Sequence, residues 1–267
     1  MSWLESVLKR DRRVVGGALV LVAALAWGYT MAGAGMGMSA FEMTSRATGS
    51  MGTSGSTMSM PVTEWTIAYA ALLLVMWWMM MVAMMLPSAA PTILLAAAVN
   101  RRAASGRPPY GAASFFTAGY LLAWLFFSVV AVAAQWALQH NGQLSAMMRS
   151  TSPYMTGGLL IAAGLWQFTP IKQACLRHCR SPVEFLTRRR RPGNTGVLAM
   201  GVEHGSYCLG CCWFLMALLF AGGVMNLYWI GGLALYVLAE KLFPHGAQVG
   251  RVAGAALILA GLWVLLL

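Results

Sequence analysis

The run Gly201-Val202-Glu203-His204-Gly205-Ser206-Tyr207-Cys208-Leu209-Gly210-Cys211-Cys212 places a carboxylate, an imidazole and three thiols in one short stretch. Leu198-Ala199-Met200 precedes it and Trp213-Phe214-Leu215-Met216-Ala217-Leu218-Leu219-Phe220 follows, so these groups sit in a segment apolar enough for lipid. On a helix each residue turns 100°, which puts His204, Cys208 and Cys211 within about 60° of one another. Met200 lies on that side one turn earlier, with Tyr207 and Cys212 on the flanks. An ionisable group in hydrocarbon costs roughly 2.5–3.5 kcal/mol on insertion scales, so Glu203 requires a partner, water or a proton, and marks a functional site. The plainer alternative treats the cysteines as small apolar residues and His204 as a helix-contact histidine; it must account for all five groups at once.

Thiolate, thioether and imidazole ligands suit Cu(I), which accepts two or three of them. Zn(II) is the alternative, with His204, Cys208, Cys211 and Glu203 as its four ligands; methionine, abundant here, is a poor zinc ligand. A second thiol group, Cys175-Leu176-Arg177-His178-Cys179, puts two cysteines four residues apart, on one face if helical. Lys172, Arg177 and Arg180 beside it would favour thiolate. The chain also holds 20 methionines. Met76, Met80 and Met84 form one stripe at helical spacing, with Met81 and Met85 beside it. Others fall in Gly35-Met36-Gly37-Met38 and Ser56-Thr57-Met58-Ser59-Met60. A methionine stripe often only packs helices. Together, however, these groups predict soft sites in series: external methionines, then Met76/Met80/Met84, then a midplane site of His204, Cys208, Cys211 and Cys212 with Met200 and Glu203. Cys175, His178 and Cys179 would make a separate inner site.

These residues need elements to hold them, and composition says what kind. The chain of 267 residues is 59% hydrophobic and 9% charged, against roughly 25% charged in globular domains, which excludes a soluble protein. The apolar runs are continuous rather than alternating, which excludes a barrel. The expected fold is all-α: a polytopic transmembrane helix bundle of about seven spans with a cytoplasmic N-terminus. The predicted spans are 14–31, 65–86, 110–138, 153–170, 196–222, 227–242 and 249–267. The second is kinked at Pro87 and trails on to Val99, because a straight helix from Trp65 to Val99 would run about 52 Å. Cys208, about 12 residues or roughly 18 Å into the fifth span, falls near the midplane.

Charge placement sets the orientation. Of 18 Lys and Arg residues, only Arg46 and Arg149 fall on the outer side of this arrangement, the pattern of topology determinants. The net charge of +11 is therefore read as facing anionic lipid, and no nucleic-acid partner is expected. The basic head before Val14 and its long apolar run, with no clear cleavage box, predict a first span rather than a signal peptide. Five cysteines, none placed externally, do not make a disulfide framework. Residues 1–64 would supply the first helix and a Met/Gly/Ser-rich external loop, and residues 65–267 a six-helix core carrying the His/Cys motifs.

A family resemblance rests on particular segments. Met84-Met85-Leu86-Pro87-Ser88-Ala89-Ala90-Pro91, Thr169-Pro170-Ile171-Lys172 with Cys175 to Pro182, Met200 to Trp213, Gly222-Gly223-Val224-Met225-Asn226-Leu227 and Glu240-Lys241 resemble a bacterial family of integral membrane proteins. That family, a domain of unknown function, is described as predicted metal-binding and sometimes labelled copper chaperone. The likeness spans roughly residues 65–255, and its H-G-x-Y-C-x-G-C-C-W run is its most specific part. It implies metal handling in a bacterial inner (cytoplasmic) membrane. The function expected is Cu(I) binding for delivery or translocation, with a metal-donating or metal-accepting protein as partner, and no catalysis. The alternatives are a thiol–disulfide electron carrier using Cys208 and Cys211, or a non-catalytic subunit of a membrane complex.

Overall fold

The computed structural model describes residues 3–47, 65–103, 110–145, 148–181, 183, 186, 191 and 193–267. The methionines of the external loop beyond residue 47, and Arg188 to Arg190, lie outside the described residues. The fold is all-α. Helices α1 (Trp3–Met31), α2 (Ala40–Ala47), α3 (Ile67–Ala103) and α4 (Tyr110–His140) lead into α5 (Pro153–Phe168) and α6 (Pro170–Arg180). Then come α7 (Gly193–Ala217), the single turn α8 (Leu219–Gly222), α9 (Leu227–Leu242) and α10 (Gly246–Leu266).

Among the described residues, five stretches are long and apolar enough to cross a membrane: Arg12–Met31, Ile67–Val99, Gly111–His140, Gly193–Gly222 and Gly246–Leu266. This corrects the expected count of seven. Two of the predicted spans are α5 and α9, which have 16 residues each and reach roughly 24 Å, short of the ~30 Å hydrocarbon core. The second span is one helix running through both Pro87 and Pro91. Just ahead of Pro87, the Met85 carbonyl accepts hydrogen bonds from the hydroxyls of Ser88 (2.8 Å) and Tyr120 (3.2 Å), the latter tying α3 to α4.

The turn signals explain where helices stop. Ser152 caps α5 through the Met155 N–H, with Pro153 in the first turn where its missing donor costs nothing. Thr169 takes an extended backbone (φ −69°, ψ 141°), ends α5, and caps α6 through the Lys172 N–H. The first part of the stretch expected to join the fourth and fifth spans is therefore helix α6. Asn226 caps α9 through the Tyr228 N–H (3.0 Å).

Two helix pairs dominate the packing, α4 with α7 and α5 with α10, and both close on glycine. In α7, a Cβ on Gly201 would fall on the Phe116 carbonyl oxygen, and one on Gly205 would lie 2.7 Å from Ala123 Cβ. In the other pair, a Cβ on Gly164 would lie 2.7 Å from the Gly254 carbonyl oxygen, and one on Gly261 2.6 Å from Ile161 Cγ1. Without a hydrophobic drive between helices in lipid, this close backbone approach is what holds them. Helix α3 packs on α1, α4 and α9, and buries Met76, Met80, Met81, Met84 and Met85 in the core.

Candidate functional site

Helix α7 presents His204, Cys208, Cys211 and Cys212 inward, all buried. His204 faces α4, its ring 5.8 Å from Phe116 and 5.9 Å from Tyr120 between centroids. Gly201 and Gly205, on either side of it, let α4 come that near. The wall predicted from 100° spacing is present.

Helix α6 lies against this same part of α7, and that was not legible in the sequence. His178 stacks on Tyr207 with ring centroids 3.8 Å apart. A Cβ on Gly210 would lie 2.9 Å from Cys175 Sγ, so Gly210 is the gap that admits this sulfur. Trp166, at the end of α5, donates from Nε1 to the Gly210 carbonyl (3.2 Å). Cys179, one turn further along α6, comes close enough to Cys208 and Cys211 for their thiols to interact. Cys175 and Cys179 thus do not form a separate inner site; all five cysteines of the chain gather between α6 and α7. All five are free thiols.

Positive charge is arranged differently from the expectation. Lys172 and Lys241 were counted as topology charges at the membrane edge, yet both are buried, as is Glu240 between them. Lys172 Nζ pairs with Glu240 Oε1 at 2.7 Å and also donates to Gln167 Oε1. Arg180 donates to the Phe243 and Pro244 carbonyls, each at 2.7 Å. Neither cation turns to Cys175 or Cys179. The cation that meets a sulfur comes from α9: Lys241 Nζ donates to Cys208 Sγ (2.9 Å) and to Ser88 Oγ (3.1 Å). Tyr120 Oη lies 3.1 Å from the same sulfur. Cys208 therefore sits among residues from α3, α4, α6, α7 and α9.

Other predicted ligands are placed elsewhere. Met200 Sδ accepts the Arg191 N–H (3.4 Å), and Glu203 Oε2 lies 3.7 Å from Arg191 Nη2. Both belong to the earlier turns of α7, where the chain leading into the helix folds over them. Met76, Met80 and Met84 are core residues of α3, and no contact described for the thiols involves them. Tyr120, Ser88, Lys172, Glu240 and Lys241 were missed as site residues. The signal for the last two was an acid and a base closing the apolar run Leu227–Leu242, in a chain with so few charges.

As placed, Cys211 and Cys212 turn their thiols onto the Cys208 carbonyl, at 3.0 and 2.9 Å. Accordingly, among the described residues, no group of three or more His, Cys, Asp or Glu side chains is disposed as a ready metal cage. What the site offers is a dense set of soft donors beside a buried cation.

A family model described as copper chaperone (PpoB2) matches residues 74–264. The chain belongs to this family. The matched region starts within α3 and takes in all five thiols, Lys172, Glu240 and Lys241. No curated protein and no solved structure matches the chain. Membership in the copper chaperone family gives the chain a metal-handling and non-enzymatic role, and the five apolar helices make it a multi-pass membrane protein.

Proposed function

We propose that the protein carries Cu(I) as cargo on thiols shared between α6 and α7, and passes it to or from a partner protein in a bacterial inner membrane. The observation that carries this reading is the convergence of Cys175 and Cys179 on Cys208, Cys211 and Cys212. Thiolate donors select Cu(I) over harder ions, and two or three suffice. His204, on the same wall, would add a nitrogen donor, and His178, stacked on Tyr207, stands beside the site. Residues 65–267 form the metal-handling core. The basic segments put the N-terminus in the cytoplasm.

The test is anaerobic purification with Cu(I) and elemental analysis. The wild type retains near-stoichiometric copper, and Cys208→Ser/Cys211→Ser abolishes it. Full retention by that variant would reject the assignment. Zinc at equal stoichiometry under competition would replace Cu(I) with Zn(II).

The thiol-bonded cluster also suits thiol–disulfide exchange, the rival reading. Trapping with single-cysteine variants separates the two: copper carriage predicts no mixed disulfide with a partner, and a specific one would favour electron transfer.

A further inference from the structure

Lys241 stands at the cargo site with no means of binding cargo, because an ammonium carries donors and no lone pair. Its Nζ nevertheless meets Cys208 Sγ at 2.9 Å, held from behind by Ser88 Oγ at 3.1 Å. The side chain is almost wholly buried. Such a cation either competes with a metal for Cys208 or serves it.

Charge counting decides between these. Glu240 is already matched by Lys172 at 2.7 Å, so that pair is neutral and leaves nothing for Lys241. Among the described residues no carboxylate is paired with Lys241, so its positive charge is met only by the Cys208 sulfur, in a region where an unmatched charge is costly. A Cu(I) ion held by two thiolates carries one net negative charge. Adding the two gives zero. A divalent ion on the same two thiolates would be neutral by itself, leaving the ammonium's charge unmatched, and would need a third thiolate to reach neutrality.

We infer that Lys241 is the fixed counter-charge of the bound ion: a positioning residue that makes a two-thiolate Cu(I) centre neutral within lipid, with Cys208 as one of its ligands. The second ligand is Cys179 or Cys211: the Cys211 thiol bonds to the Cys208 carbonyl (3.0 Å), and Cys179 comes close to both. As each Cu–S bond forms, any thiol proton displaced leaves to solvent and the ammonium stays. Ser88 and Tyr120 keep their places, the one orienting Nζ, the other bounding the sulfur. The inference rests on the Cu(I) reading and adds to it what sets the ion's charge.

The full-length protein in detergent, with Lys241→Met, Lys241→Gln and Lys241→Arg variants, tests it. Each is titrated with Cu(I) against a chromophoric Cu(I) chelator, and its metal-free thermal midpoint is measured. Both neutral variants should lose about tenfold or more in Cu(I) affinity, the scale of losing a supporting group at a metal site, while Lys241→Arg recovers most of it. Lys241→Gln retains a hydrogen-bond donor for Ser88, so it reports on charge even if Lys241→Met fails to fold. Equal or tighter Cu(I) binding by a folded neutral variant makes Lys241 a competitor and overturns the inference. So does a folded arginine variant as weak as the neutral ones. Absence of Cu(I) from the wild type overturns the cargo reading itself, and this inference with it; loss confined to the variants does not touch that reading.

Discussion

Along α4 and α7, glycines 119, 201 and 205 bring two backbones together beside His204 and Cys208. Along α5 and α10, glycines 157, 164, 254 and 261 do the same beside Leu265, Ile258, Phe168 and Ile161. The packing device is one; the cargo of the two seams is different. The second seam runs inward to Gly250, where a Cβ would lie 2.6 Å from Glu240 Oε1, and so ends on the Lys172–Glu240 ion pair. The first opens onto sulfur. One seam closes the bundle and secures a buried charge pair, while the other aligns donors. The comparison teaches that close helix approach in lipid is a neutral tool, and that function depends on which side chains stand next to the glycine.

The largest effect should come from breaking the ion pair. Lys172→Met leaves Glu240 buried without its cation, and should destabilise the protein by about 3–5 kcal/mol, read as a lowered unfolding midpoint in detergent. The double variant Lys172→Met/Glu240→Leu should regain most of that and keep copper at wild-type stoichiometry. Copper loss in a folded double variant would show that the two seams are not separate.

Next are the glycines themselves. Gly201→Ala and Gly164→Ala each force backbones apart and should each cost about 1–3 kcal/mol. Only Gly201→Ala should also weaken copper retention, because it shifts His204 and Cys208 relative to α4. Equal copper loss from both would erase the distinction drawn between the seams.

The smallest change sharpens it. Gly210→Ala puts a methyl near Cys175 Sγ, a contact a side chain can relieve, so stability should change by about 1 kcal/mol or less. Accessibility of Cys175 to a thiol reagent should rise, with copper affinity slightly reduced. Unchanged labelling would mean that Cys175 does not depend on that gap.

Local pattern carried much of this architecture. Leu227–Leu242 was predicted with its observed bounds, since an apolar run between Asn226 and Phe243-Pro244 has unambiguous ends. The His204/Cys208/Cys211 wall followed from helical spacing alone. What spacing cannot report is which helix folds against which. Cys175 and Cys179 join Cys208 only because Thr169 starts a new helix and Gly210 leaves room for it. Lys172 and Lys241 looked like membrane-edge charges because their position near the ends of apolar runs fits that role equally well. Met200 and Glu203 share α7 with the thiols, but Arg191, brought back over the start of the helix, engages them first. Span counting failed at α5 and α9, whose apolar runs close into helices of 16 residues, too short to cross.

The extended backbone at Thr169 makes α6 a separate arm that turns off from the end of α5. Its other end is latched where Arg180 grips the carbonyls of the α9–α10 turn. Two of the five thiols ride on that arm, so a turn that contains no sulfur, far along the chain from every cysteine, helps to fix where they stand.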